Sequence, residues 1–116
     1  MTSYDQGDVV LIPFPFTDLS TFKQRPALVI SGSEFNRRRQ DIVVAAITSQ
    51  VPASLPVTDY RLEGADLKTG GLPKASIVKL GKIVTLDQRL IRKRLGTLPK
   101  ITVAKILSQF HQIFGS

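Results

Sequence analysis

The sequence predicts a mainly β fold, a small antiparallel barrel or sandwich that ends in one C-terminal α-helix. Short runs rich in β-branched and apolar residues recur at near-regular intervals, and Gly and Pro separate them. Apolar residues at helical spacing occupy the last stretch. None of the 116 residues forms a linker-like segment, so we expect a single domain over residues 1–116.

Three strands are predicted in the first half of the chain. The first is "DVVLIPF" at 8–14, and a long loop with the composition of exposed chain follows at 14–24. "PALVIS" at 26–31 and "DIVVAAIT" at 41–48 are nearly continuous apolar runs, which indicates burial on both faces or inside a closed barrel. The stretch between them, which contains Arg37 to Arg39, is predicted as a hairpin-type connection with solvated charges.

The second half is predicted to add shorter strands. "LPVTDYRL" at 55–62 alternates apolar and polar positions, as a strand with one exposed face does. "KTGGLP" at 68–73 predicts a turn in which two glycines supply positive φ. Strands are predicted at 76–80 and 82–86, with Gly81 between them as a bend or bulge. The sheet would therefore have five to six strands.

The C-terminal quarter is predicted to be helical. Residues 87–94 could form a single turn capped by Asp87. A longer amphipathic helix follows, with polar residues on its other face. Its apolar positions are Val103, Ile106, Leu107, Phe110, Ile113 and Phe114.

Composition excludes several kinds of site. The chain has no cysteine, so it can form no disulfide, thiolate nucleophile or cysteine-ligated metal centre, and a reducing compartment fits. The N-terminus lacks the basic and apolar regions of a signal peptide, and no apolar run approaches the ~20 residues that a membrane helix needs. We therefore expect a cytoplasmic protein that does not enter a membrane.

The charge of the chain favours a polyanionic partner. The net charge is +7, and it is unevenly distributed: residues 1–66 carry six Lys and Arg against eight Asp and Glu, whereas residues 67–116 carry ten against one. Such a domain attracts nucleic acid through release of counterions. On charge alone, a solvated basic face is an equally good interpretation.

Most recognisable enzyme motifs are absent, including phosphate-binding glycine loops, HExxH and GxSxG. The one histidine, His111, lies at the edge of the apolar stripe of the last helix and is interpreted as structural. RNA, however, carries its own nucleophile in the 2′-hydroxyl, so an enzyme need only align that group, stabilise phosphorane charge and manage two proton transfers. The composition permits such a ribonuclease without demanding it.

Polar residues at strand ends are the candidates for that chemistry. Arg25 opens the second strand, and its guanidinium can donate two hydrogen bonds to phosphate oxygens. Thr48, Ser49 and Gln50 close the third strand, and adjacent strand ends in a small barrel can meet around one cleft. A purely structural interpretation stays open, because Arg25 could pair with Asp8 or Asp18.

Five segments in order resemble the MazF/PemK family of toxin-antitoxin ribonucleases. They are "GDVVLIPF" at 7–14, "RPALVIS" at 25–31, "AAITSQ" at 45–50, "GLPKASIVKLGKIVTLD" at 71–87 and "LIRKRLGTL" at 90–98. The resemblance implies an SH3-like antiparallel barrel, the MazF/PemK/CcdB-like toxin fold, that usually forms a homodimer. It also implies cleavage of single-stranded RNA by 2′-hydroxyl attack, which leaves a 2′,3′-cyclic phosphate and a 5′-hydroxyl, with no metal or other cofactor.

The resemblance also implies residue roles. Arg25 and Thr48 match the family's catalytic residues: Arg25 would stabilise the phosphorane and protonate the leaving group, and Thr48 would hold a phosphate oxygen. The segment from Thr17 to Gln24 matches a mobile loop that covers RNA and exchanges with the antitoxin. The expected RNA-binding residues are Phe16, Thr17, Lys23, Gln24, Pro26, Ser49, Gln50, Ser76 and Lys79.

Partners and alternatives follow from the same resemblance. The expected partner is a cognate acidic antitoxin, through which alone the protein would contact DNA. Better-known members have an arginine near the position of Val84 and a glutamine at that of Lys82, and many have a glycine-rich first loop that this chain lacks. These departures leave open a non-catalytic protein of the same fold that binds an antitoxin or a topoisomerase. Retention of Arg25 and Thr48 favours the enzyme.

Overall fold

Six antiparallel strands form one curled half-barrel sheet in the computed structural model, which describes residues 3–15 and 22–115. The strands are β1 (Asp8–Pro15), β2 (Phe22–Val29), β3 (Asp41–Thr48), β4 (Asp59–Leu62), β5 (Ser76–Asp87) and β6 (Lys93–Thr97). Their order across the sheet is β4-β5-β3-β2-β1-β6. The helices are α1 (Ser33–Arg38), α2 (Ala65–Thr69) and α3 (Lys100–Gly115), with a 3₁₀ turn at Gln88–Leu90.

Both faces of the central strands are buried, as their continuous apolar runs predicted. Successive side chains of a strand point to opposite faces. Leu28 and Ala45 lie on the face covered by α3, where Ile106 is fully buried. Ala27 and Val44 lie on the other face, in a second apolar cluster that Leu86 and Ile91 complete. The predicted mainly β fold with a C-terminal helix is confirmed.

The segment after α2 packs against the edge strand β6 by close backbone contact. A Cβ on Gly96 would lie 2.2 Å from the carbonyl oxygen of Thr69, and one on Gly71 would lie 2.1 Å from that of Leu95. Gly71 has the predicted positive φ, +70°. Gly70 has a φ of −80°, so the prediction that both glycines supply positive φ holds only for Gly71. Glycine at positions 71 and 96 therefore lets the chain cover the β6 end of the sheet.

The connection between β2 and β3 is a helix, not the predicted hairpin-type turn. Ser33 and Glu34 open α1, and Arg37 and Arg38 occupy its last turn, which is the charge order that favours a helix. The one side chain of α1 that is buried is Asn36. The segment can form a helix because its arginines keep the exposed face polar, while the amide of Asn36 anchors the other face.

Three further boundaries differ from the prediction. The strand at 55–62 is shorter, because only its second half, β4, pairs with β5. The strands at 76–80 and 82–86 are one strand, β5, which a bulge interrupts near Gly81 as predicted. The capped turn forms at 88–90 with Asp87 accepting from the Arg89 N–H at 2.8 Å, but the chain then returns to the sheet as β6 and adds the edge strand.

α3 is fixed to the rest of the domain at both ends of its buried face. Thr102 donates to the Asp66 carboxylate on α2 at 2.9 Å, and Gln109 donates to the carbonyl oxygens of Val57 and Asp59 at 2.7 and 2.8 Å. Within the described residues, no helix has the length and apolar character needed to cross a membrane.

Candidate active site

A cleft opens where the ladder between β2 and β3 ends. The two strands pair from Val29↔Val44 to Ala27↔Ala46. Pro26, which has no N–H to donate, occupies the next position on β2. Extending the register by two residues on each strand brings Arg25 opposite Thr48, so these strand ends face each other beyond the last hydrogen-bonded pair.

Six polar or basic side chains surround this cleft, which has a volume of about 310 Å³. That volume is at the small end of the range for ligand pockets, about 300–1,000 Å³, so the cleft can hold one small group of a longer ligand. Ala46 and Ile47 form its apolar part. The polar and basic lining residues are Arg25, Thr48, Ser49, Gln50, Lys79 and Lys82.

The bulge in β5 directs two lysines into the cleft. Ala46 of β3 pairs with Lys79, but the neighbouring Ala45 pairs with Ile83, so the bulge leaves residues 80–82 without a counterpart in β3. Residues three apart on a regular strand point to opposite faces. The bulge removes that constraint, and both Lys79 and Lys82 line the cleft.

The electrostatic character of the cleft is cationic. Among the described residues, its lining contains three basic side chains and no carboxylate. Asp59 lies behind Lys79, where the carboxylate is buried and 3.8 Å from the ammonium nitrogen. The Thr48 hydroxyl oxygen accepts from the Gln50 N–H at 3.2 Å, which orients the hydroxyl at the strand end. The arrangement suits an anion held by charge and by hydroxyl and amide donors.

The remaining predicted site residues that the structure describes do not line the cleft, and they lie at different positions along β2 and β5. Lys23 and Gln24 are exposed on β2, and Lys23 lies on the same side of the strand as Arg25. Gln24 and Pro26 point to the opposite side and do not line the cleft. Ser76 is buried on β5 and donates to the Lys74 carbonyl oxygen at 2.8 Å, away from the cleft. The predictions for Phe16 and Thr17 fall outside the described residues.

The competing structural interpretation named Asp8 and Asp18 as partners for Arg25. Asp8 binds Arg94, with 2.9 Å between the Arg94 Nε and the carboxylate, and accepts from the Thr97 hydroxyl at 2.8 Å. Asp18 lies outside the described residues. His111 is exposed on α3, where it borders a shallow depression with Ser108 and Gln112, residues that do not line the cleft.

Lys82 is the cleft residue that sequence reasoning missed. It was noted as a departure from the family pattern rather than as a site residue. The available signal was Gly81: once a bulge is expected there, lysines on its two sides can share a face. In the described part of the chain, no three His, Cys, Asp or Glu side chains are grouped as metal ligands would be.

Comparison with known proteins agrees with the fold. The fold and the cleft define a class, small curled-sheet proteins with a cationic cleft at strand ends. The family model described as "PemK-like, MazF-like toxin of type II toxin-antitoxin system" matches residues 5–114, and the chain therefore belongs to that family. A comparison with curated proteins gave no match.

Solved structures show the same fold. A mycobacterial endoribonuclease in complex with its cognate antitoxin superposes with a TM-score of 0.77 at 20% identity, covering 97% of this chain and 95% of that one. MazF from Deinococcus radiodurans gives a TM-score of 0.75 at 21% identity, with complete coverage of both chains. Mycobacterium tuberculosis toxin MazF-mt6 gives 0.69 at 18% identity, covering 90% and 95%.

Proposed function

We propose that this toxin-family protein is an endoribonuclease that cleaves single-stranded RNA without a metal ion. The observation that carries the proposal is the cleft, in which Arg25 and Thr48 meet at the ends of adjacent strands. Two structural neighbours are described as endoribonucleases, which supports the same reaction class. The cleft supplies positive charge from side chains, so the developing phosphorane has donors at hand.

In the proposed reaction the RNA supplies the nucleophile. The 2′-oxygen attacks the adjacent phosphorus, the bond from phosphorus to the 5′-oxygen breaks, and the products carry a 2′,3′-cyclic phosphate and a 5′-hydroxyl. Arg25 stabilises the charge that develops on the phosphoryl oxygens, and the Thr48 hydroxyl donates to one of them. A guanidinium keeps its proton below a pH of about 12. The proton of the 2′-hydroxyl is therefore proposed to leave to water, and water to protonate the 5′-oxygen, in place of the protonation that the resemblance gives to Arg25.

The RNA is proposed to cross the open side of the cleft as an extended strand. Ser49, Gln50 and Lys79 line the cleft and supply further donors, and Lys23 extends the positive charge along β2. A cognate acidic antitoxin would compete for the same charge, and two neighbours are structures of toxin with antitoxin. A homodimer is proposed as the working form.

The decisive experiment is incubation of the purified protein with a long single-stranded RNA in excess EDTA, followed by mapping of fragment ends. We expect cleavage that leaves cyclic phosphate and 5′-hydroxyl ends. Arg25→Ala should lose on the order of 10²–10³-fold in rate, the loss typical of removing one donor from a developing oxyanion. Arg37→Ala, which removes an exposed arginine of α1, is the matched control and should cleave normally.

Two results would overturn the proposal. One is a folded, antitoxin-free wild-type protein that cuts none of a varied set of RNAs, which would move the assignment to the non-catalytic binding protein. The other is equal cleavage by Arg25→Ala, which would remove this cleft from the reaction. Titrating the cognate acidic protein into the same assay tests the partner: it should bind and stop cleavage, and binding without inhibition would contradict competition at the cleft.

A further inference from the structure

A second recess shares two lining residues, Lys79 and Lys82, with the cleft. It has a volume of about 320 Å³, nearly that of the cleft. Because the two lysines line both cavities, they form a basic wall that the cavities share. An RNA chain that leaves the cleft past the ammonium groups of these lysines would enter the recess. The residues that line it are Pro56, Thr58, Asp59, Lys79, Gly81 and Lys82.

The backbone around the recess is held in place from several directions. The Leu80 N–H donates to the Thr58 carbonyl oxygen at 2.7 Å, and the Asp59 N–H donates to that of Pro56 at 3.0 Å. From α3, Gln109 binds the carbonyl oxygens of Val57 and Asp59. A cavity whose walls are fixed before a ligand arrives costs little ordering on binding, which favours selective recognition.

The chemistry of the recess differs from that of the cleft. The Thr58 hydroxyl donates to the buried Asp59 carboxylate at 3.5 Å, and Gly81 adds no side chain to the lining. The space that a glycine leaves can take a ring, and the Thr58 hydroxyl oxygen, which has a further lone pair, can accept from the polar edge of a base. Phosphate would be repelled by Asp59 in the recess and attracted to the two lysines at its entrance.

We propose that the recess receives the nucleoside next to the cleaved phosphate, and that Lys79 and Lys82 hold the phosphate that leads to it. This inference rests on the function proposed above and extends it, because it assigns a subsite for choosing the neighbouring nucleotide. The buried Asp59 acts as a positioning residue for Lys79: their charges are 3.8 Å apart, and the contact orients the ammonium group at the boundary of the two cavities.

Gly81→Leu is the substitution that tests the recess. Gly81 is not among the described glycines with positive φ, which are at positions 7, 64 and 71. A Cβ at Gly81 would meet only Thr58 carbons, at 3.8 and 3.9 Å, which is ordinary contact, so the fold can accept a side chain that fills the recess. Gly32→Leu is the matched control, because a Cβ there meets nothing within 4 Å and Gly32 precedes α1 at the other end of β2.

Two readouts are needed. The first is the distribution of cut sites of each variant on a pool of RNAs, read as the ratio of cleavage between motifs that differ only in the neighbouring nucleotide. We expect Gly81→Leu to shift that ratio about tenfold or more, a discrimination typical of changes in pocket shape, and Gly32→Leu to leave it unchanged. The second readout is binding of short oligonucleotides with a 2′-deoxy substitution at the cleavage position, which should show the same shift.

The outcomes separate this inference from the proposed function. If the wild type cleaves RNA and Gly81→Leu keeps the same nucleotide ratios, the recess is overturned while the ribonuclease stands. If the wild type cleaves nothing but Gly81→Leu changes which oligonucleotides bind, the subsite stands and the catalytic proposal falls. If the wild type cleaves nothing and Gly81→Leu does not change which oligonucleotides bind, both proposals fall. Lys82→Ala should also change the ratio of cleavage between these motifs. Recovery of the wild-type ratio in Lys82→Arg would support a role for the positive charge at the lysine wall.

Discussion

The two ends of the β2–β3 pair use polar residues in opposite ways. At the α1 end, Asn36 is buried, and its amide donates to the carbonyl oxygens of Tyr4 and Ser31 at 2.8 and 3.1 Å. Gln88 donates to the carbonyl oxygens of Asn36 and Arg39 at 2.7 and 3.0 Å. At the other end, Arg25 and Thr48 border an open cleft. Hydrogen bonds made inside the protein stabilise the fold, whereas the polar groups around the cleft line a cavity that is open to solvent.

The arginines show the same contrast. Arg38 binds Glu34 within α1 at 3.0 Å, and the Arg39 guanidinium lies 5.5 Å from the centre of the Phe35 ring. These contacts engage the charges of α1 locally. The three basic residues of the cleft also have partners, Asp59 in the case of Lys79, but they come from two strands and converge on one volume. Counting charges along the chain cannot distinguish the arginines of α1 from the basic residues of the cleft, because only the fold brings the cleft residues together.

The largest effect on stability that this comparison predicts is that of Asn36→Ala. The substitution removes the hydrogen bonds of the Asn36 side chain to the half-buried Tyr4 and Ser31, and each unsatisfied group that stays out of water costs about 1–3 kcal/mol. We expect the free energy of unfolding to fall by about 2–4 kcal/mol, measured by urea denaturation.

Arg38→Ala is the control for that measurement. It removes an exposed ion pair from the same helix, which should cost no more than about 0.5 kcal/mol. Equal losses for the two variants would mean that the buried network contributes no more than the surface of α1, and the contrast between the two ends would fail.

Thr48→Val tests the same comparison at the cleft. Valine keeps the branched shape at the end of β3 and removes only the hydroxyl, whose one described contact is with the exposed Gln50 N–H. We expect RNA cleavage to fall about 10–100-fold, or about 1.4–2.7 kcal/mol in the barrier, while stability changes by less than about 0.5 kcal/mol. Initial rates and thermal unfolding of the same samples check both.

Thr85→Val is the matched control, since Thr85 is an exposed threonine of β5 that does not line the cleft. It should leave both quantities unchanged. Loss of stability in Thr48→Val without loss of rate would assign Thr48 to the fold and not to the reaction.

Sequence reasoning predicted the strands better than the features that shape the site. Continuous apolar runs identified β2 and β3, because a strand that is buried on both faces needs an apolar side chain at nearly every position. The anchoring of α1 by Asn36 left no comparable signal, since one buried amide among charged neighbours has the composition of a loop. Arg25, Thr48 and Lys79 were predicted as site residues and line the cleft, whereas the place of Lys82 in the lining depends on the register of a bulge. Ser76, also predicted as an RNA-binding residue, pairs with β4, is buried and does not line the cleft.

The smallest predicted effect concerns an exposed charge at the α1 end. Asp87 accepts hydrogen bonds from the side chain and the backbone of Arg89, and these lower the pKa of its carboxyl group. A lowered pKa in the folded state means that the ionised form stabilises the fold above the unfolded pKa, and that this contribution is lost as pH falls through the folded pKa. Asp87→Asn keeps an N-cap side chain and removes only the charge. We therefore expect a small loss of thermal stability at neutral pH that disappears in acid and shrinks at high salt. A loss of the same size at both pH values would show that the cap geometry, and not the charge, is what Asp87 contributes beside the Gln88 network.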